Sequence, residues 1–140
     1  MALLPVAESA VPLYWRRSFP GRTEQARVAR GFVACLLAGC PFLDDVLLAV
    51  GELVVNALRH TKSGQDGGSF TVEVLRGCGG VVLGVADQGG PCEPVVADAG
   101  ELDECGRGLL TVSRTAARWG WYGDESGRKV TVAFAGEWVA

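Results

Sequence analysis

The chain has 140 residues, which suits one domain and leaves no room for a second comparable one. Apolar residues make up 49% and charged residues 21%, which excludes a disordered composition and supplies material for a core. The formal net charge is -3 with no dense Lys/Arg block, so a nucleic-acid footprint is not expected.

Met1 to Pro12 lacks the basic and continuous apolar stretches of a secretion leader, and Val81 to Ala86, an apolar run beyond it, is far too short to cross a bilayer. The five cysteines form no CxxC pair and His60 is the single histidine, so reduced thiols in a cytoplasmic protein are expected. A metal cage built from protein ligands is not expected. The slightly positive mean hydropathy favours a partner-binding face.

In chain order, residues 1–12 read as a loose arm and residues 13–140 as one domain. Tyr14 to Phe19 reads as a first strand ended by Pro20-Gly21. Thr23 is placed as the N-cap of a helix reaching about Leu37, closed by Gly39 and stopped by Pro41. Leu43, Val46, Leu47, Val50, Leu53, Val54, Ala57 and Leu58 then repeat at the spacing of one buried helical stripe. Ser63-Gly64 and Asp66-Gly67-Gly68 mark its end.

Phe70 to Leu75 alternates as a strand, Arg76 to Gly80 reads as a turn, and Val81 to Ala86 as a more buried strand. The Gly/Pro-rich stretch from Asp87 to Gly106 is long for a connector and is a candidate functional loop. Gly108 to Ala117 can form a third helix, and Arg118 to Tyr122 with Lys129 to Ala135 a closing hairpin. Hairpin-joined strands predict an α+β two-layer sandwich, a mostly antiparallel mixed sheet with helices on one face.

On the second helix Glu52, Asn56 and His60 recur every four residues, forming a narrow polar line between apolar neighbours. A carboxylate there can orient or deprotonate a nucleophile. The amide oxygen of Asn56 is a hard ligand suited to Mg²⁺. From this helix alone, a solvated face explains the line equally well. Asp87 follows a buried strand, where a carboxylate can accept from an exocyclic amine such as that of adenine and neighbouring glycines admit a flat ring. Asp and Gly are also the commonest turn residues. Gly106-Arg107-Gly108-Leu109-Leu110 opens the third helix, whose free N–H groups suit phosphate. Neither the P-loop nor the dinucleotide spacing is present.

Taken together and in this order, these segments resemble a known family. Glu52 to His60 resembles the N-box of the GHKL (Bergerat-fold) ATPases and kinases, Asp87-Gln88-Gly89 continuing to Pro94 resembles their adenine-binding box, and Gly106 to Leu110 their second glycine box. Arg17 to Gly21, Ala29 to Val33 and Arg118-Trp119-Gly120 are similar to the anti-sigma-factor serine/threonine kinases of actinobacteria. The resemblance runs from about Trp15 to Phe134.

It implies Glu52 as catalytic base, Asn56 as Mg²⁺ ligand, Asp87 as the adenine-reading carboxylate and Gly89 as the close-approach glycine. It implies that Gly106, Arg107, Gly108 and Leu109 hold ATP phosphates under a lid of residues 95–105. It further implies phosphoryl transfer to an anti-anti-sigma (STAS-like) protein, a sigma factor as second partner, and a homodimer. Two positions depart from the family pattern. Lys129 is followed by Val130, with Thr131 one place late, which turns the hydroxyl to the other face of the strand. The adenine box has Gly89-Gly90-Pro91 in place of a DxGxG spacing. These departures leave open a non-catalytic alternative, an ATP-gated module that holds a partner without modifying it.

Overall fold

The computed structural model describes residues 12–77, 79–91 and 112–135. Five strands form one sheet in the order β1-β2-β3-β5-β4: β1 (Leu13–Pro20), β2 (Ser69–Gly77), β3 (Gly80–Asp87), β4 (Arg118–Asp124) and β5 (Gly127–Ala135). Every neighbouring pair is antiparallel, so the expected sandwich is present and its sheet is not mixed among the described residues. The strands β2–β3 and β4–β5 are hairpins, and β5 enters between β3 and β4. Asp87 thereby ends the middle strand of the sheet.

Two helices, α1 (Gln25–Leu36) and α2 (Leu43–His60), join β1 to β2. The apolar stripe of α2 lies against the sheet: Val46, Ala49, Val50, Leu53, Val54 and Ala57 are all buried. Asp44 and Asp45 in its first turn and Arg59 in its last turn oppose the partial charges of the helix ends. The expected cap at Thr23 is not formed. Its hydroxyl donates to the Glu24 carboxylate at 3.1 Å, and α1 starts at Gln25 after a turn closed by the Gln25 N–H on the Arg22 carbonyl. Of the expected third helix, residues 112–115 are helical and the remainder before them lies outside the described residues.

The inward side chains of the sheet alternate as a half-buried strand requires, with Phe70, Val72 and Val74 on β2 and Val130, Val132 and Phe134 on β5 all buried. Phe19 of β1 stacks on Phe70 at 5.3 Å and meets Phe32 of α1 edge-on at 5.9 Å, tying the first strand to both layers.

On the opposite face Glu73 collects three partners: the Tyr14 hydroxyl donates to it at 2.9 Å, Arg16 lies at 3.4 Å, and Lys129 pairs with it across β3. Burial alone would raise the Glu73 pKa, but hydrogen bonds from Lys129 and Tyr14 outweigh it and hold the carboxyl below its ordinary 4.5. Stability from this carboxylate is therefore full above pH 4.5 and is lost as pH falls through the lowered folded value. We expect Glu73→Ala to cost about 0.5–1 kcal/mol at neutral pH, carried mainly by the partly buried Lys129, since the exposed Tyr14 and Arg16 regain water. Thermal melts at neutral and acidic pH check this, the difference from wild type shrinking in acid.

Candidate functional site

The polar line on α2 is not an open face. Glu52, Asn56 and His60 are each half-buried, whereas Arg59 beside them is exposed. The helix stops where Thr61 turns to an extended conformation, its hydroxyl donating to the Ala57 carbonyl at 2.6 Å and accepting the Ser63 N–H at 3.1 Å. A short 3-10 turn, Lys62–Gly64, follows.

This end of α2 is fastened to the end of β3. The Lys62 N–H donates to the Gly89 carbonyl at 2.8 Å, the Gln88 N–H to the Ser63 hydroxyl at 2.9 Å, and the Ser69 N–H to the Gln88 side chain at 2.9 Å. A Cβ on Gly90 would lie 2.4 Å from the His60 carbonyl oxygen, so this glycine lets two backbones touch. Gly89 has φ +81, and a Cβ there would lie 2.0 Å from the Glu125 carbonyl oxygen in the β4–β5 turn. Its close approach is thus made to protein backbone. The glycine pair of the 87–91 loop is explained by this clamping.

Asp87 sits half-buried at the centre of the clamp and donates nothing while accepting the Gly89 N–H at 2.7 Å. Burial raises its pKa above the ordinary 3.8, opposed by that N–H and by the charge and backbone N–H of Arg128. Carboxylate and amide are graded along α2: with His60 level with Gly90, a rise of 1.5 Å per residue puts Asn56 about 6 Å and Glu52 about 12 Å further along the axis. A base at Asp87 with phosphates running toward Asn56 and Glu52 matches that elongated arrangement.

Glu52 also lines an open groove of about 610 Å³ between α1 and α2. Its floor is small and apolar, with Ala34, Gly51 and Val55, and Arg27 and Arg30 stand on the α1 side. Leu48, at 41% exposed, belongs to the same groove. The sequence did not signal it, because it arises only where two helices meet. Thr131 points to the outer face of the sheet, its hydroxyl 3.5 Å from the Gly120 carbonyl, while Val130 points inward and is buried. Gly106, Arg107, Gly108 and Leu109, and the lid expected at 95–105, lie outside the described residues.

The model of the histidine kinase-like ATPase domain matches residues 19–134, most of the chain. The chain belongs to the histidine kinase-like ATPase family. A search of the curated proteins finds no match. Domains of this family bind ATP, typically with Mg²⁺, and the residues in place fit that pair of ligands. The Asp87 carboxylate is an acceptor for an exocyclic amine, and the amide of Asn56 is the kind of oxygen donor that Mg²⁺ takes beside phosphates. When bound, Mg²⁺ supplies neutralisation of phosphate charge.

The raised pKa of Asp87 has a readable consequence in this ATP-binding domain. An amine bound at Asp87 would favour the ionised carboxylate, and below the raised pKa of Asp87 its binding would have to displace a proton. We expect Mg-ATP affinity to fall on acidification beginning above pH 3.8, the ordinary aspartate value, and Asp87→Asn to remove that dependence. Calorimetric titrations across the acid range, corrected for phosphate protonation with inorganic triphosphate, check it.

Among the described residues, no helix is long and apolar enough to cross a membrane.

Proposed function

We propose that this ATP-binding domain is a cytoplasmic serine/threonine protein kinase of the anti-sigma-factor type. It transfers the γ-phosphoryl group of ATP to a STAS-like anti-anti-sigma protein, sequesters a sigma factor, and works as a homodimer. The observation that carries this reading is the position of Glu52. It belongs to the half-buried line that continues through Asn56 toward Asp87, and it also lines the open α1–α2 groove beside Arg27 and Arg30. A partner hydroxyl entering by the groove meets this carboxylate at the phosphate end of the line.

Glu52 takes the proton of that hydroxyl as the oxygen bonds to the γ-phosphorus, and the bond from that phosphorus to the bridging oxygen breaks to leave ADP. Asn56 would hold the Mg²⁺, which would neutralise phosphate charge, and Asp87 would hold the base. Positioning and charge neutralisation carry most of the rate, since phosphoryl transfer needs little covalent help.

The second reading, an ATP-gated module that binds without transferring, is favoured by one feature. The inward positions of β5 carry Arg128 and Val130, and Thr131 faces away, so no hydroxyl from this strand reaches the helical side of the sheet. The two are separated by incubating the protein with γ-labelled Mg-ATP and a STAS-like partner. Label on a serine or threonine of the partner supports the kinase. A stable, nucleotide-dependent complex carrying no label overturns it in favour of the binding module.

A further inference from the structure

Arg128 is a buried cation that the transfer scheme does not use. Only 5% of it is exposed, and its charge acts on the neighbouring Asp87 carboxylate within this buried end of the sheet. In the β3–β5 ladder it stands directly opposite Asp87, so both side chains leave the sheet on the same face. Its guanidinium lies over the Trp121 ring at 5.8 Å, which gives the flat group a flat support on β4. The end of the sheet therefore presents an acceptor and a planar set of donors side by side.

Adenine shows the complementary pair along one edge, the N6 amine as donor and the adjacent ring N1 as acceptor. We propose that Arg128 is the second base-reading residue of this domain, donating to adenine N1 while Asp87 accepts from N6. This deepens the nucleotide reading and rests on Asp87 being the base acceptor. A 6-keto purine reverses both partners: its O6 faces the Asp87 carboxylate and its N1–H faces the guanidinium. The pair thus selects ATP over ITP by two mismatches. Arg128 also keeps positive charge beside Asp87, opposing the effect of burial on that carboxylate and holding it in the accepting form.

The test is a set of calorimetric affinities for ATP, ITP and 1-deaza-ATP, which lacks only the ring acceptor. Wild type is expected to bind 1-deaza-ATP roughly tenfold more weakly than ATP, the size of one hydrogen bond to a charged donor. Arg128→Met, which has no donor, is expected to bind ATP and 1-deaza-ATP alike. Should that variant fail to fold, Arg128→Lys keeps the charge and loses the planar fork, and its preference for ATP over 1-deaza-ATP is expected to shrink. Equal wild-type affinity for ATP and 1-deaza-ATP overturns the role of Arg128 while leaving the nucleotide site standing. An undiminished preference for ATP in either variant overturns it too. No ATP binding by wild type overturns the nucleotide reading with it.

Discussion

Glu52→Gln is expected to slow phosphate transfer by about 10²- to 10⁴-fold, the range of a lost general base, while Mg-ATP affinity stays close to wild type. The substitution keeps the size and shape of the side chain and removes its capacity to take a proton. Because Glu52 lies about 12 Å from the base end of the line on the helical rise, and Asn56 lies between them, its loss should leave the nucleotide in place. Single-turnover transfer and calorimetry on the same preparation separate the two effects. A parallel fall in affinity would make Glu52 a nucleotide-binding group. Unchanged transfer would remove Glu52 from the chemistry and assign the proton of the attacking hydroxyl to another acceptor.

Gly89→Ala is expected to cost about 2–5 kcal/mol of stability, combining a left-handed backbone forced on a residue with a Cβ and an overpacked contact. The added carbon would lie 2.0 Å from the Glu125 carbonyl oxygen and 2.8 Å from the Gly127 nitrogen, both backbone atoms that cannot rotate aside. Relief requires the β4–β5 turn to move off the end of β3, where Asp87 pairs with Arg128. Nucleotide affinity should therefore fall together with the melting temperature, which drops by several degrees or more. A wild-type melting point would mean that the 87–91 loop is not held by this turn.

The layers of the fold were legible because they rest on periodicity. The stripe from Val46 to Ala57 and the alternation on β2 and β5 are local patterns, and they decide which face is buried. Features that depend on contact across the chain were not. Thr23 carries a capping residue's chemistry, but its hydroxyl is engaged by Glu24, a choice no propensity encodes. Gly89 was readable as a required glycine, whereas the partner that requires it, Glu125, is far along the chain in the opposite hairpin.

Arg128 was not singled out in the sequence. Its position two residues before buried Val130 put it on the inward side of β5, and that alternation was the signal available. The α1–α2 groove beside Glu52 had no signal at all, because its lining is split between Arg27 and Arg30 on one helix and Gly51 and Val55 on the other.

In the proposed site ATP lies with its base at Asp87 and its phosphates along α2 toward Asn56. The most direct measurement is a Mg-ATP titration followed by thermal unfolding, comparing wild type with Asn56→Ala and Asp87→Asn. A ligand specific to the folded state stabilises it by roughly 2.7 kcal/mol at a hundredfold excess over Kd. Wild type should show a saturable upward shift. Asn56→Ala should weaken it for Mg-ATP while sparing the response to adenosine, and Asp87→Asn should weaken both. A wild-type response in both variants, or no shift in wild type at millimolar Mg-ATP, would contradict this placement.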